Sequence, residues 1–336
     1  MRIVSTLTLR PPQRALLEEA APGATIVDRP CRTLDDISKL AAADGGCDVI
    51  FTFRVPPGIE QSAPTLKWIQ LLSAGVDHAL HGRLADSVAI TSASGIHAAP
   101  IAEYTIASML SFAHRFHQLM RAQLRREWGR NGDFMASVDV LRGKTIGIVG
   151  YGSIGRETAR LARAFGMRVL ALKRDPAART DSGWMPPGLG DPDGSIPERF
   201  YGPDERVEML RQSDFISVTL PATAATRAFL GGRELAAMRP HAYIVNVGRG
   251  DVIDQSALIE ALREKRIAGA GLDVFEREPL EPESALWDLE NAILSPHMSG
   301  AFKGYVETAC GLFAENLRRF ANGRPLFNRV DPALGY

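Results

Sequence analysis

Three short segments of the chain place a chemically versatile side chain within a few residues of the end of an apolar run. Arg249 follows the run in IVNVGRG, Glu278 precedes the proline in GLDVFEREP, and His297 follows the run in AILSPHMSG. An imidazole gains and loses a proton near neutral pH, because its ordinary pKa is about 6.5. A carboxylate beside such a ring favours its protonated form, and a guanidinium binds a carboxylate through two parallel hydrogen bonds. The three residue types therefore suit proton transfer to a bound anion.

A glycine-rich turn supplies a second group of candidate residues. It is the GxGxxG run made of Gly150, Tyr151, Gly152, Ser153, Ile154 and Gly155. The run follows the apolar segment TIGIV and opens the helical pattern IGRETARLARAFG, which is the context that a dinucleotide-binding turn requires. The first glycine permits a tight turn, the second lets the backbone approach a pyrophosphate, and the third lets helix and strand pack closely. Free N–H groups at the start of the helix would then bind the phosphates.

The charged residues after the strand that follows the glycine run indicate whether NAD or NADP binds. An acidic residue about 20 positions after the glycine run would hold the ribose hydroxyls of NAD. The strand Val169–Leu172 is instead followed by Lys173 and Arg174, which we call the basic pair, with Asp175 beyond them. Lys and Arg would pair with the 2′-phosphate of NADP, which a carboxylate would repel. We expect NADP(H) to be favoured over NAD(H); the alternative is that Asp175 reaches back to the ribose and the basic pair is solvated.

The hydrophobic pattern predicts elements that bring these residues together. Short apolar runs alternate with helical patterns, which indicates parallel βαβ units of an α/β protein. The predicted strands are Arg2–Leu9, Thr25–Val27, Cys47–Phe53, Leu66–Leu72, Val88–Ser92, Lys144–Gly150, Arg168–Lys173, Asp214–Leu220, Ala242–Val247, Gly269–Val274 and Asn291–Leu294. The predicted helices are Gln13–Ala20, Leu34–Ala43, Pro100–Arg130, Ile154–Phe165, Arg206–Gln212, Gly232–Met238, Ser256–Lys265 and Ala301–Asn322.

Two segments depart from this alternation. Pro100–Arg130 predicts one long helix with an apolar face larger than one small domain needs. We expect this helix to link the two domains and to contact a second copy of the chain in a homodimer. Pro176–Pro203, which we call the insertion, is rich in Pro and Gly and weakly patterned. Such a long unpatterned stretch inside a compact domain is functional or mobile. It could fold over a bound cofactor, or it could be a tolerated surface insertion.

Length, charge and cysteine content exclude several classes of protein. A chain of 336 residues suggests two domains. Lys+Arg and Asp+Glu both number 39, so the net charge is zero and neither nucleic acid nor a membrane is expected as a partner. Cys31, Cys47 and Cys310 lie far from one another and from any histidine cluster, so we expect reduced thiols in a cytoplasmic protein and no metal site. The N-terminal run lacks the apolar core of a signal peptide.

The motifs together resemble one enzyme family. VNVGRGDVID, GLDVFEREPL and LSPHMSG, after a mid-chain GYGSIG, are similar to segments of the D-isomer-specific 2-hydroxyacid dehydrogenases of the glyoxylate/hydroxypyruvate reductase kind. The resemblance is strong from Lys144 to Gly300 and weak near the N-terminus. It implies a Rossmann doubly wound, parallel-sheet cofactor domain at residues 98–300. This domain would be inserted into a smaller flavodoxin-like α/β substrate domain made of residues 1–97 and 301–336.

The resemblance also implies roles for individual residues. The residues that match the family's catalytic Arg, Glu and acid/base His are Arg249, Glu278 and His297. The loop whose backbone amides would bind the substrate carboxylate contains Ser73, Ala74 and Gly75. Asp273 matches the acid near the nicotinamide, and Thr219 stands where many relatives carry a histidine. Further residues that we assign to the cofactor lie at the ends of two predicted strands, and they are Leu220, Pro221, Val247 and Gly248. His78 and His97 are additional candidates for the lining of the substrate pocket.

These roles imply a reductase of small 2-keto acids such as glyoxylate or hydroxypyruvate. A hydride from the dinucleotide would reach C2, His297 would supply the proton, and Arg249 would polarise the keto oxygen and bind the carboxylate. Two alternatives stay open. One is a non-catalytic sensor or corepressor of the same fold, and the other is a dehydrogenase of a bulkier 2-hydroxy acid or of an inorganic anion.

Overall fold

The chain forms two compact units in a computed structural model that describes residues 1–76, 79, 87–128 and 137–331. The smaller unit consists of Met1–Ile96, Ser182–Pro186 and Phe302–Tyr336. The larger unit consists of His97–Asp181 and Pro187–Ala301. Five residues of the insertion therefore cluster with the smaller unit, which the sequence did not predict.

The smaller unit contains a parallel sheet covered by helices. Its strands are β1 (Arg2–Ser5), β2 (Thr25–Asp28), β3 (Val49–Thr52), β4 (Trp68–Leu71) and β5 (Ala89–Thr91). Its helices in the described residues are α1 (Pro11–Ala20), α2 (Leu34–Ala42), α3 (Ile59–Ser62) and α10 (Tyr305–Ala321). The strand order β2-β1-β3-β4-β5 is that of flavodoxin-type sheets. Helix α10 comes from the far end of the chain and packs on this sheet, where the ring of Phe313 stacks on Phe51 with centroids 4.4 Å apart.

The larger unit contains a wider parallel sheet. Its strands are β6 (Thr145–Val149), β7 (Arg168–Leu172), β8 (Arg199–Tyr201), β9 (Phe215–Val218), β10 (Tyr243–Asn246), β11 (Gly269–Leu272) and β12 (Ala292–Leu294). Its helices in the described residues are α4 (Ala98–Ala113), α5 (Phe116–Leu124), α6 (Ser153–Ala164), α7 (Arg206–Gln212), α8 (Gly232–Ala237) and α9 (Gln255–Arg263). The strand order is β12-β11-β10-β9-β6-β7-β8. Strands β7 and β8 are added on one side of β6, and strands β9 to β12 are added on its other side, as in a Rossmann sheet. The predicted fold class is confirmed.

Every strand except β8 lies where the apolar pattern predicts one, and each of these except β2, which continues to Asp28, is shorter than its predicted run. β6, β9 and β10 are buried at every position, because helices cover both faces of a parallel sheet. The residues that follow the last paired position leave the sheet and form the loops of the candidate site. Among the described residues, the helices are too short or too polar to cross a bilayer.

The prediction of one helix over Pro100–Arg130 is wrong. Helix α4 ends at Ala113 and α5 begins at Phe116, because Arg115 between them has a left-handed backbone with φ of 60°. The Arg115 guanidinium donates to the Tyr243 hydroxyl (2.7 Å) and to the Ser137 carbonyl (3.0 Å). These bonds hold the break in place, and the apolar spacing continues across it, so the sequence pattern gives no sign of the interruption.

The insertion has more structure than its composition indicates. Its end forms β8, which pairs in parallel with β7 through Leu170 and Arg199. Its tip lies in the smaller unit, where the Trp184 N–H donates to Asn328 Oδ1 (3.1 Å). The Trp184 carbonyl also lies so close to Gly95 (φ 95°) that a Cβ at this position would come within 2.0 Å of its oxygen. Gly95 therefore permits this close approach.

Candidate active site

The three predicted catalytic residues follow three neighbouring strands. Strands β10, β11 and β12 are adjacent and parallel, so their carboxyl ends lie along one edge of the sheet. Arg249 follows β10, Glu278 follows β11 and His297 follows β12. Ligands of doubly wound sheets bind outside this edge.

Glu278 and His297 form a direct pair. His297 Nδ1 lies 2.7 Å from Glu278 Oε2, and the other carboxylate oxygen of Glu278 accepts a hydrogen bond from the Phe275 N–H (3.1 Å). The backbone therefore fixes the carboxylate, and the carboxylate fixes the imidazole. The His297 side chain is 50% exposed, so the ring is held on one side and open on the other. With Nδ1 directed to Glu278, Nε2 is the ring nitrogen that can exchange a proton with a ligand.

Asp273 holds the loop that carries His297. It is fully buried, and its carboxylate accepts hydrogen bonds from Ser295 Oγ (2.6 Å), Met298 N (2.9 Å) and Ser299 N (2.9 Å). These bonds surround His297, whose backbone is left-handed with φ of 50°. A non-glycine residue keeps such a conformation where its surroundings impose it.

The sequence did not predict this support of the His297 loop. Tyr104 also contributes to it, since its hydroxyl lies 2.6 Å from Ser295 Oγ. The signal that could have indicated the network is the polar pair Ser295 and Ser299 on either side of His297. Asp273 was assigned to the cofactor on the resemblance alone, whereas its visible contacts are to this loop.

The Arg249 loop is shaped by Asn246 at the end of β10. The Asn246 side chain donates to the Arg249 carbonyl (3.0 Å) and accepts from Gly248 N (3.1 Å). A Cβ on Gly250 would lie 1.9 Å from the carbonyl carbon of Phe275, so this loop also packs tightly against the segment that leads to Glu278. Asn246 is buried, and a polar residue inside a buried strand was the available sequence signal.

His97 lies beside this loop at the start of α4. Burial and the nearby charge of Arg249 lower the pKa of His97 to about 4, so the ring is neutral at physiological pH. Its ring packs against Gly300, where a Cβ would come within 2.9 Å of His97 Cδ2. His78 and His81 lie outside the described residues.

The glycine-rich turn has the geometry that a dinucleotide requires. Gly150 has φ of 106°, and a Cβ on Gly155 would lie 2.2 Å from the Gly150 carbonyl oxygen. A Cβ on Gly152 would meet no described atom within 4 Å, so the backbone there is open to a ligand. Gly152 is also the N-cap of α6, where a glycine has no side chain of its own to cap the first N–H groups of the helix. These features fit a pyrophosphate on the backbone and the helix N-terminus.

Neighbouring loops close one side of this turn. Thr219 donates from Oγ1 to the Gly150 carbonyl (2.6 Å), and Leu220 lies in contact with Gly150. A Cβ on Gly248 would lie 2.6 Å from the Leu220 carbonyl oxygen, so only glycine permits this approach. Val247 is buried, and Pro221 is half-buried. These loops follow β6, β9 and β10 and therefore meet at the predicted edge.

The basic pair follows β7, as predicted. Lys173 donates from Nζ to the Ala178 carbonyl, and Arg174 is exposed. Burial and the charge of Arg156 lower the pKa of Lys173, while Asp181 and Asp175 oppose that shift. Asp175 accepts a hydrogen bond from Ala177 N (2.9 Å), so its carboxylate closes its own turn.

The predicted carboxylate-binding loop belongs to the smaller unit. Ser73, Ala74 and Gly75 follow β4 and are half-buried. Ser73 Oγ donates to the Gly75 carbonyl (2.9 Å), which fixes the shape of the turn.

Comparison with known proteins finds a matching family and similar curated sequences. The family described as "D-isomer specific 2-hydroxyacid dehydrogenase, NAD binding domain" matches residues 106–299. A glyoxylate reductase of Aeropyrum pernix is 34% identical over 303 residues, which cover 88% of this chain and 85% of that protein. A glyoxylate reductase of Thermococcus gammatolerans is 35% identical over 288 residues, covering 84% of this chain and 79% of that protein.

Solved structures show the same architecture. The NADPH-dependent glyoxylate/hydroxypyruvate reductase of Sinorhizobium meliloti, in complex with NADP and sulfate, superposes with a TM-score of 0.77 at 25% identity, covering 100% of this chain and 99% of that one. A D-isomer specific 2-hydroxyacid dehydrogenase of Xanthobacter autotrophicus, in complex with NADPH and MES, superposes with a TM-score of 0.78 at 28% identity over the same shares of the two chains.

Proposed function

The chain belongs to the D-isomer specific 2-hydroxyacid dehydrogenases, and from that premise we propose that it reduces small 2-keto acids of the glyoxylate and hydroxypyruvate type with NADPH. The observation that carries the proposal is the pair of Glu278 and His297, with Nδ1 and Oε2 2.7 Å apart at the carboxyl edge of the sheet. A sensor that only binds dinucleotide has no need of an oriented proton donor at this edge, so the pair favours an enzyme.

The chemistry divides among a few residues. The bound dinucleotide supplies the hydride that goes to C2 of the keto acid. His297 donates a proton from Nε2 to the developing alkoxide, and Glu278 stabilises the charged ring before the transfer. Arg249 polarises the keto oxygen and binds the carboxylate with its planar donors. The backbone amides of Ser73, Ala74 and Gly75 are assigned to the substrate carboxylate on the resemblance.

The preference for NADP(H) rests on the basic pair. Lys173 and Arg174 stand where a 2′-phosphate would lie, and Asp175 already accepts a backbone hydrogen bond in its own turn. This arrangement supports the binding of the 2′-phosphate by both basic side chains. The Asp175 carboxylate has a structural partner in its own turn and is not needed for binding the ribose. The S. meliloti reductase and the X. autotrophicus dehydrogenase were solved with NADP and NADPH, which also supports this assignment.

The enzyme is proposed to work as a homodimer that uses α5. The exposed face of this helix and the residues after it carries large apolar side chains, namely Phe116, Leu119, Met120, Leu124 and Trp128. Exposed apolar side chains at helical spacing on α5 favour an interaction site there.

Steady-state kinetics with a panel of keto acids tests the proposal. NADPH and NADH oxidation is followed at about 340 nm with glyoxylate, hydroxypyruvate, pyruvate and phenylpyruvate. We expect the highest kcat/KM with glyoxylate or hydroxypyruvate and NADPH. Absence of turnover across the panel, with intact dinucleotide binding, would favour the sensor, and a preference for phenylpyruvate would favour a larger substrate.

A further inference from the structure

The insertion is bonded to the glycine-rich turn that the proposed function assigns to the dinucleotide. The side chains of Tyr151 in the turn and of Arg156 and Glu157 in α6 bind the insertion. We propose that the insertion is a brace that fixes the dinucleotide-binding turn, with Tyr151, Arg156 and Asp191 as positioning residues. This inference rests on the proposed function only in requiring that a dinucleotide binds at the turn.

Arg156 is the strongest element of the brace. It directly follows the last glycine of the motif, and its side chain is 1% exposed. A buried guanidinium requires partners, because an unpaired buried charge is costly. Its Nε lies 3.1 Å from Asp181 Oδ2, its Nη2 donates to the Arg179 carbonyl (2.7 Å), and its Nη1 donates to the Asp191 carbonyl. All three of these partners belong to the insertion.

Tyr151 makes the second link. It lies between the first two glycines of the motif, and it is buried with its ring 4.9 Å from the Arg156 guanidinium. Its hydroxyl donates to Asp191 Oδ2 (2.6 Å). The Tyr151 side chain therefore binds the insertion, while its backbone forms part of the glycine-rich turn.

Asp191 is the point where the links meet. Besides Tyr151, its carboxylate accepts from Ser195 N (3.0 Å), Ser195 Oγ (3.2 Å) and Ile196 N (3.1 Å). Burial alone would raise the pKa of Asp191, but the hydrogen bonds from Tyr151, Ile196 and Ser195 outweigh it and lower the pKa. The buried group is a carboxylate with its acceptor sites satisfied, which makes it a rigid anchor.

A third link and the internal order of the insertion complete the brace. Glu157, also buried, accepts from Gly190 N (2.7 Å) and from the guanidinium of Arg160. Within the insertion, Asp181 N donates to the Pro192 carbonyl (2.9 Å). Residues 179–181 and 190–196 of the insertion thus bind Tyr151, Arg156 and Glu157 and are hydrogen-bonded to one another.

The brace should affect the binding of the pyrophosphate more than the binding of the 2′-phosphate. The turn binds phosphates through its backbone, so a small displacement weakens those contacts. NADPH and NADH share the pyrophosphate, so a displaced turn should weaken the binding of both dinucleotides to the same extent. A change in the basic pair should instead change their ratio.

The test measures dissociation constants of NADPH and NADH for the full chain by quenching of tryptophan fluorescence. Tyr151→Phe removes the donor of the 2.6 Å bond, and Asp191→Asn removes the negative charge and one of the two acceptor oxygens of the carboxylate. Asp193→Asn, exposed in the same insertion, is the matched control. We expect Kd to rise about tenfold for both dinucleotides in the two variants. The ratio of the two constants should stay the same, and the effect on the KM for the dinucleotide should exceed that on kcat.

Tyr151→Phe keeps the test decisive if Asp191→Asn fails to fold, because it deletes only a hydroxyl. A rise in Kd of less than about threefold would overturn the brace, even if thermal unfolding shows a loss of stability. A loss of affinity for NADPH alone, with unchanged affinity for NADH, would also overturn the proposed brace. If the unaltered protein binds neither dinucleotide, the proposed function itself fails, which is a distinguishable result.

Discussion

The imidazole of His297 and the carboxylate of Glu278 lie 2.7 Å apart, although 19 residues separate them in the chain. The contact arises because β11 and β12 are parallel neighbours whose carboxyl ends lie side by side. Glu278 is held by the Phe275 N–H, and the backbone of the residues around His297 is held by Asp273. The imidazole that we propose as the proton donor is therefore held in one orientation by the protein itself.

Glu278→Gln should lower kcat by about 10²-fold, because the amide can keep a hydrogen bond but cannot stabilise a charged imidazole. Dinucleotide affinity should stay unchanged, since the contacts of the glycine turn do not include Glu278. Steady-state kinetics and Kd measurements test this separation, with exposed Glu283→Gln as the matched control. A normal kcat in Glu278→Gln would remove Glu278 from the mechanism.

Replacing the basic pair should change the dinucleotide preference. Lys173→Ala with Arg174→Ala should raise the KM for NADPH by about 10-fold to 100-fold, because each charge-assisted bond to a phosphate is stronger than a neutral one. The KM for NADH should change little. Exposed Arg233→Ala controls for loss of a surface charge. An equal rise in the KM for NADPH and for NADH would contradict a role of the basic pair at the 2′-phosphate.

His97 should make stability depend on pH. Its pKa in the folded protein is about 4, against about 6.5 when unfolded, so above pH 6.5 both states are neutral. As the pH falls from 6.5 towards 4, the unfolded state binds a proton that the folded state does not, and stability is lost. Between pH 7.5 and 4.5 this should cost about 2–3 kcal/mol.

Urea unfolding at the two pH values, compared between the unaltered protein and His97→Gln, measures this contribution. The variant should lose less stability on acidification than the unaltered protein. Equal losses would show that His97 is not the group that titrates.

Light scattering tests the dimer. The unaltered protein should have twice the 36.5 kDa mass of one chain at micromolar concentration. Met120→Glu with Leu124→Glu should yield monomers, since these side chains are 66% and 85% exposed on α5 and a buried carboxylate there would be unpaired. Gln123→Glu on the same helix should remain dimeric. A monomeric unaltered protein would contradict the assignment.

The fold was predictable because parallel strands read as apolar runs and helices as runs of period 3.6. The edge position of Arg249, Glu278 and His297 followed from the strand order that such a sheet adopts. The break at Arg115 was not predictable, because it depends on a bond to Tyr243, 128 positions away. The role of Asp191 was equally hidden, since a buried carboxylate in a Pro- and Gly-rich segment has no periodic signature.

The most direct test of the account is turnover by His297→Ala measured beside its affinity for NADPH. The account predicts that kcat with glyoxylate or hydroxypyruvate falls by about 10²–10⁴-fold, while the Kd for NADPH stays within about twofold of the unaltered value. Normal turnover by His297→Ala would contradict the assignment of the proton donor and, with it, the proposed mechanism.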